Sequence, residues 1–387
     1  MSADDGAMAI YVHWPYCAAK CPYCDFNSHV RDRVDERRWA RAIAAELAHY
    51  ARRTADRRVA SIYFGGGTPS LMTPDTAAEV IAAVARLWPG RPPSEITLEA
   101  NPGSVDTAHL AGYRAAGVDR VSLGVQALRD EALRFLGRQH DVATARQAVA
   151  AAHRHFDRVS FDLIYARPDQ TTAAWRAELD DALSLAGEHL SLYQLTIEPG
   201  TAFHAAARRG ARLTADEGTG ADLFEATQAR TAAAGLPAYE ISNHARPGAE
   251  SRHNLIYWQY GDYVGVGPGA HGRLTCDGAR LATRQERSPE TWMATVERDG
   301  HATADVHDVP VAQQVEELLL MGLRLTSGVS RAAFRRIAGA DVAAWLPNGS
   351  LEKLCDEGLL HLDEQSLTAT AAGRQRLNAV LAALLAA

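Results

Sequence analysis

The stretch CAAKCPYCDF, residues 17–26, sets three cysteines in eight positions and follows directly on AIYVHW (9–14), a β-branched and aromatic run that reads as a strand. The spacing CxxxCxxC is too tight for a zinc finger, which draws paired ligands from two separated loops, and no second pair of cysteines exists. Three thiolates from one loop fit an iron–sulfur cluster in which one iron keeps no protein ligand and is open to a bound molecule. Pro15 and Pro22 stiffen that loop. Cys276 and Cys355, far along the chain, read as ordinary small side chains, and an odd total of five cysteines makes a poor disulfide framework.

Working outward, the first strand is followed by ASIYFG (60–65), EITLEA (95–100), RVSLGV (120–125), RVSFDLIY (158–165) and HLSLYQLTI (189–197). Between them lie segments with apolar residues at i, i+3 and i+4: 39–53, 76–88, 141–156 and 172–186. Six strands alternating with helices call for parallel pairing, hence an α/β barrel or doubly wound sheet with functional residues at the strand ends. Residues 215–300 are less regular, with a helix expected near 222–235, a strand near 238–242 and a Gly/Tyr-rich stretch over 261–273. From about 309 the texture changes to three helices, a small hairpin and a last helix, which suggests a winged-helix-like module. The expected division is 1–305 for the barrel with its cysteine loop and extension, and 306–387 for the C-terminal domain.

Length and composition narrow the function. The 387 residues are 47% hydrophobic, enough for a full core, and carry a net charge of −7 with basic residues spread out. That leaves no electrostatic footprint for nucleic acid or an anionic membrane. Residues 309–387 hold seven Arg/Lys against eight Asp/Glu, so the winged-helix-like module is read as a cover or docking domain. No apolar run reaches the roughly 18 residues of a membrane span. The polar start MSADDGAMA lacks the pattern of a signal peptide, so a cytoplasmic protein is expected.

CxxxCxxC after a first strand resembles the radical S-adenosylmethionine (SAM) family, from residue 9 to at least 200. The resemblance implies a partial (β/α)6 barrel and a 4Fe–4S cluster held by Cys17, Cys21 and Cys24. It further implies SAM chelated to the open iron, with Tyr23 packed near the adenine and Tyr11 on the first strand also in contact with cofactor. Gly66, Gly67 and Thr68 in FGGGTPS (64–70) then look like the motif that holds the methionine amino group, since glycines let backbone approach a ligand closely. Glu99, Gln126, Arg138 and Asp162 stand at or near successive strand ends. A guanidinium suits the methionine carboxylate and acidic groups suit ribose hydroxyls or the amino group. A structural ion pair such as Arg138 with Glu99 is the alternative.

Within that superfamily the motifs IYVHWPYC, CPYCDFNSH, YFGGGTPS, LEANPG, SLGVQ, FDLIYARP and HNLIYW resemble the coproporphyrinogen dehydrogenase-like group, and most of all the HemW family of heme chaperones with its appended HemN-type C-terminal domain. Two features carry the distinction. True dehydrogenases have CxxxCxxCxC, where this chain has Phe26, and a longer segment before the first strand. HNLIYW (253–258) matches the HNxxYW motif thought to hold heme, through His253, Asn254, Tyr257 and Trp258. On composition alone a histidine beside aromatics is more often a satisfied buried residue; the resemblance points to a ligand. His244 and His271 are fallback ligands, and His13 is expected to hydrogen-bond near the cluster.

The resemblance therefore implies three cofactors (4Fe–4S cluster, SAM and heme) and a protein that loads heme and hands it to acceptors such as respiratory enzymes. SAM binding and cleavage are within the scaffold's reach, coproporphyrinogen dehydrogenase activity is not expected, and a homodimer is allowed. The electron donor is not specified by the residues. The alternative is an oxygen-independent coproporphyrinogen III dehydrogenase working by radical oxidative decarboxylation.

Overall fold

The alternation of residue types within the strands dictates the architecture. A computed structural model describes residues 7–31, 33–346 and 349–385. The first six residues of the polar start lie outside the described residues. Six strands, β1 (Ala7–Trp14), β2 (Arg58–Gly66), β3 (Glu95–Ala100), β4 (Arg120–Gln126), β5 (Arg158–Tyr165) and β6 (His189–Gln194), pair in parallel in sequence order. On β3 to β6 every second side chain is polar: Glu95, Thr97 and Glu99, then Arg120 and Ser122, then Ser160 and Asp162, then His189 and Ser191. Their neighbours Ile96, Leu98, Val121, Leu123, Phe161, Leu190 and Leu192 join the main hydrophobic core. With a period of two, one face of each strand meets the helices and the other lines the barrel interior.

The sheet is wider than six strands. β7 (Asn243–Ala245) adds antiparallel to β6, and β8 (Asp262–Val266) adds parallel to β1. β9 (His271–Cys276), β10 (Ala279–Gln285) and β11 (Thr303–Asp308) follow antiparallel, giving eleven strands in the order β11-β10-β9-β8-β1-β2-β3-β4-β5-β6-β7. The Gly-rich stretch 261–273 thus holds β8, a turn and the start of β9. A side chain at Gly265 would run into the His271 carbonyl, so glycine is what lets β8 and β9 close on each other. The strand expected at 238–242 is displaced to 243–245. Glu240 accepts from the Ser242 N–H at 2.9 Å and the Asn243 side-chain amide at 2.6 Å, which bends the chain before pairing can begin.

Beyond β11 the chain forms helices Val311–Gly322, Arg331–Ala338, Val342–Trp345 and Ser350–Asp356. A three-stranded sheet of β12 (Val329–Ser330), β13 (Leu360–Leu362) and β14 (Ser366–Ala369) and two last helices complete it. These elements share a separate core that includes Leu319, Phe334, Leu367 and Leu384. The division expected after residue 305 falls inside β11, and the chain leaves the large sheet only after Asp308. Arg273 and Tyr260 on the barrel side meet Glu317 at 2.9 and 2.7 Å, and Arg324 meets Glu240 at 3.1 Å.

Candidate functional site

At the C-terminal ends of the parallel strands a cavity of about 750 Å³ opens, within the range of small-molecule sites. Cys17, Cys21, Cys24 and Tyr23 line it from the loop after β1. Gly66, Gly67 and Thr68 reach it from the end of β2, Glu99 from β3, Gln126 from β4, Asp162 from β5, and Arg138 from the segment after β4. The structure thus brings together eleven of the residues singled out in the sequence, although they are spread over 146 positions between Cys17 and Asp162.

Each is held for a local reason. Tyr16–Cys17 pairs with His29–Val30 in a short parallel ribbon that closes the cysteine loop. His13 donates from Nε2 to the Asn27 carbonyl at 2.9 Å, which leaves Nδ1 to accept from the Tyr11 hydroxyl at 2.9 Å. Asn27 in turn donates to the carbonyls of Pro268 and Arg287, both at 2.9 Å, so the loop is tied to the β8–β9 turn as well. Gly66 sits at φ +114°, and a Cβ on Gly67 would come 2.6 Å from the Tyr16 carbonyl and 3.0 Å from the Cys17 sulfur. Any larger residue would push the cysteine loop away. Arg138 does not pair with Glu99. Its Nη1 lies 3.3 Å from the Cys21 sulfur and its Nη2 donates to the Gly124 carbonyl at 3.0 Å.

The cavity carries unmet valence. Gln126 Oε1 and Arg138 Nε are buried without a hydrogen-bond partner, and Gln126 holds φ +71°, a strained conformation for a non-glycine residue. Burial lifts the Glu99 carboxyl to about 7 and the Asp162 carboxyl to about 6, and each is a like-signed neighbour in the same wall. Burial likewise raises the Cys17 and Cys24 thiols, a bias that a bound metal removes by taking the thiolate. Among the described residues no three His, Cys, Asp or Glu side chains converge on one point, so a single ion is not what the thiols suit. In an iron–sulfur cluster each thiolate goes to its own iron, so sulfurs spread around a loop fit it. An amino acid's ammonium and carboxylate suit the Glu99 and Arg138 ends of the same wall.

The other motif lies elsewhere. Residues 252–258 form a helix that packs against β1, β2 and β8, and none of its residues lines the cavity. His253 is 1% exposed, with Nδ1 2.9 Å from the Ser61 hydroxyl and Nε2 2.9 Å from the Tyr257 hydroxyl. Burial drives its pKa down to about 3, so the ring is neutral. Asn254 N–H caps onto Ser251 Oγ at 3.3 Å, and Trp258 lies under the Arg324 guanidinium at 4.6 Å. Tyr11 belongs to this layer rather than to the cavity wall, with its ring 6.3 Å from Tyr63. His244 is buried with Nε2 3.3 Å from Gln228, and His271 stands exposed on β9. Sequence reading passed over Glu95, whose carboxylate accepts from Ser251 Oγ, Arg252 N, His253 N and Arg158 and so fixes the helix N-terminus. The alternation Glu95, Thr97, Glu99 along one strand face was the signal for it.

Comparison with known proteins bears on both regions. Residues 11–182 match the radical SAM superfamily and residues 309–376 match the HemN C-terminal domain. Heme chaperone HemW of Escherichia coli is 36% identical over 86% of each chain. The chain belongs to the HemW family. Radical S-adenosyl methionine domain-containing protein 1, mitochondrial, of Bos taurus is 40% identical over 97% of this chain and 87% of its own. The solved structure of coproporphyrinogen III oxidase (HemN) from Escherichia coli, described as a radical SAM enzyme, superposes with a TM-score of 0.81 at 21% identity. It covers 99% of this chain and 91% of that one, and so fixes the radical SAM fold. For a HemW-family member that fold implies a 4Fe–4S cluster and SAM, and the cavity is built to suit both. No helix of the described residues is long and apolar enough to cross a membrane.

Proposed function

We propose that this chain is a heme chaperone: it binds heme and passes it to heme-requiring acceptors, respiratory enzymes among them, with the cluster and SAM as resident cofactors. The observation that carries the reading is its family membership, at 36% identity to a protein named heme chaperone HemW over 86% of both chains. Phe26 in place of a fourth cysteine and the HNLIYW helix support it over a porphyrinogen dehydrogenase.

In this reading Cys17, Cys21 and Cys24 each give a thiolate to one iron. The Gly66–Thr68 backbone and Glu99 take the methionine ammonium, Arg138 its carboxylate, Gln126 and Asp162 the remaining polar groups, and Tyr23 the adenine. When bound and reduced, such a cluster supplies an electron that can cleave SAM. The chain's own part is to hold the ligands, exclude water and balance charge, with Arg138 set against the anionic cluster sulfur of Cys21. His253, Asn254, Tyr257 and Trp258 would hold the heme, the imidazole supplying a nitrogen donor for its iron and the aromatic rings an apolar contact for the porphyrin. We place the protein in the cytoplasm and allow it to act as a homodimer.

Titrating the anaerobic, cluster-reconstituted chain with hemin tests the reading. A Soret shift that is lost in His253→Ala is expected; no shift, or one unchanged by that substitution, removes it. Formation of protoporphyrinogen from coproporphyrinogen III with SAM and reductant would favour the dehydrogenase instead.

A further inference from the structure

One column of aromatic rings joins the HNLIYW helix to the cavity. His253 lies face to face with Tyr63, centroids 4.7 Å apart and planes 23° from parallel. The Tyr63 hydroxyl donates to Glu99 Oε1 at 2.7 Å, and the second Glu99 oxygen accepts from the Gly66 N–H at 3.2 Å. Glu99 and Gly66 both line the cavity, whereas Tyr63 and His253 stand one and two layers below it. Gly65 lets the column close, because a Cβ there would come 2.9 Å from the Tyr11 ring and 3.0 Å from that of Tyr63.

The foot of the column is fully engaged. Of the two imidazole nitrogens of a neutral histidine one donates and the other accepts. With Ser61 on Nδ1 and Tyr257 on Nε2, no lone pair of His253 is left over for a metal. Its backbone N–H is bound as well, to Glu95 at 3.0 Å.

We propose that His253 and Tyr63 are positioning residues for the Glu99 carboxylate, and that engaging His253 as an iron ligand weakens SAM binding in the cavity. The second half rests on the heme reading above; the first does not. To offer a lone pair, His253 must leave Ser61 or Tyr257, and its ring then leaves the face of Tyr63. Without that wall the Tyr63 hydroxyl is no longer fixed on Glu99, and a carboxylate in the cavity wall loses one of its two donors. Coupling between two sites is reciprocal, so a ligand that holds Glu99 in place makes His253 harder to free by the same factor. SAM occupancy and heme ligation at His253 therefore oppose each other.

The test uses the full chain, reconstituted with its cluster under anaerobic conditions, and reads SAM affinity by equilibrium dialysis and hemin by the Soret band. Tyr63→Phe keeps the ring and removes only the hydroxyl. SAM affinity should fall about tenfold while the cluster absorbance is unchanged. His253→Ala removes the ring that backs Tyr63. It should weaken SAM a few-fold, and the double variant should match Tyr63→Phe alone because the two act through one carboxylate. Saturating hemin should weaken SAM binding in the wild type and have no such effect in Tyr63→Phe.

Wild-type SAM affinity in Tyr63→Phe, or strictly additive effects in the double variant, would overturn the positioning role. A His253-dependent Soret band that leaves SAM affinity untouched would overturn the antagonism. Absence of any Soret shift would remove the heme reading and the antagonism with it, while the Tyr63 arm still decides the positioning role.

Discussion

The cavity and the HNLIYW helix lie a few side chains apart, and they differ in how their ligand-type side chains are engaged. In the cavity Gln126 Oε1 and Arg138 Nε have no partner, three thiols face open space, and two carboxyls sit above their ordinary range. In the helix His253 has both ring nitrogens and its backbone N–H bound, and Glu95 accepts four hydrogen bonds at the helix start. Buried polar groups are normally paired, so the two partnerless atoms in the cavity wall, beside three thiols and two carboxyls, suit a polar ligand there. His253, with both ring nitrogens engaged, must change partners before it can ligate a metal, whereas Trp258 Nε1 on the same helix is buried without a partner. Shared sequence signatures do not reveal this difference; geometry does.

The comparison is broken most directly at the cysteines. Cys17→Ala, Cys21→Ala or Cys24→Ala should each abolish the four-iron absorbance of the reconstituted protein, because every thiolate serves a separate iron. Full iron content in any one of the three would show that the loop is not the cluster site. On the helix side the corresponding cut is Glu95→Ala. Glu95 is fully buried and pairs with the half-buried Arg158 at 2.7 Å, so its loss unpairs that guanidinium and leaves three donors at the N-terminus of residues 252–258 without their acceptor. A loss of about 3–5 kcal/mol is expected in urea unfolding, with cluster binding retained in the folded fraction. A loss below about 1 kcal/mol would mean the helix is not held from that end.

Much of this contrast was legible in the sequence, and what was missed has physical reasons. CxxxCxxC, the glycines of FGGGTPS and the polar strand ends could be assigned to one cavity because parallel strands deliver their C-terminal ends to one side. The strands β8 and β9 were hidden by glycines, which lower strand propensity yet are what permits the close approach of Gly265 to His271. Glu95 and Tyr63 were passed over although their strands alternate plainly. Alternation says which face a residue takes, but not which of its neighbours across the barrel it will touch. The turn at 239–242 depends on one carboxylate folding back on its own backbone, a contact that β-branched Ile241 does not announce.

A smaller effect sharpens the contrast through pH. Glu99 and Asp162 are harder to ionise in the folded, ligand-free barrel than in the unfolded chain. Their favourable contribution is therefore complete when both are protonated, below the ordinary carboxylate range, and is lost as pH rises through about 6 to 7. Roughly 2–3 kcal/mol per group is at stake between pH 5 and 8. Buried Glu46, held at about 7 by burial among Gly267, Ala302 and Trp292, acts in the same direction. The difference in pH slope between wild type and Glu99→Gln isolates the cavity's share. Parallel slopes would mean that Glu99 is not strained by its site.

The smallest effect belongs to Phe26, on the cavity rim and 55% exposed. Its side chain satisfies no polar group and fills no core, so Phe26→Ser should shift stability by less than about 0.5 kcal/mol. Phe26→Cys restores the fourth cysteine of the dehydrogenase pattern and is the more informative change. Three thiolates already leave one iron for SAM, and a fourth on the rim would compete with SAM for it or remain free. The expected result is an unchanged iron content, a free thiol that reacts with alkylating reagent, and no protoporphyrinogen from coproporphyrinogen III. If that single substitution conferred decarboxylation, the residue two positions past the last cysteine would be enough to separate two functions on one barrel, and the HNLIYW helix would lose its claim to be the distinguishing element.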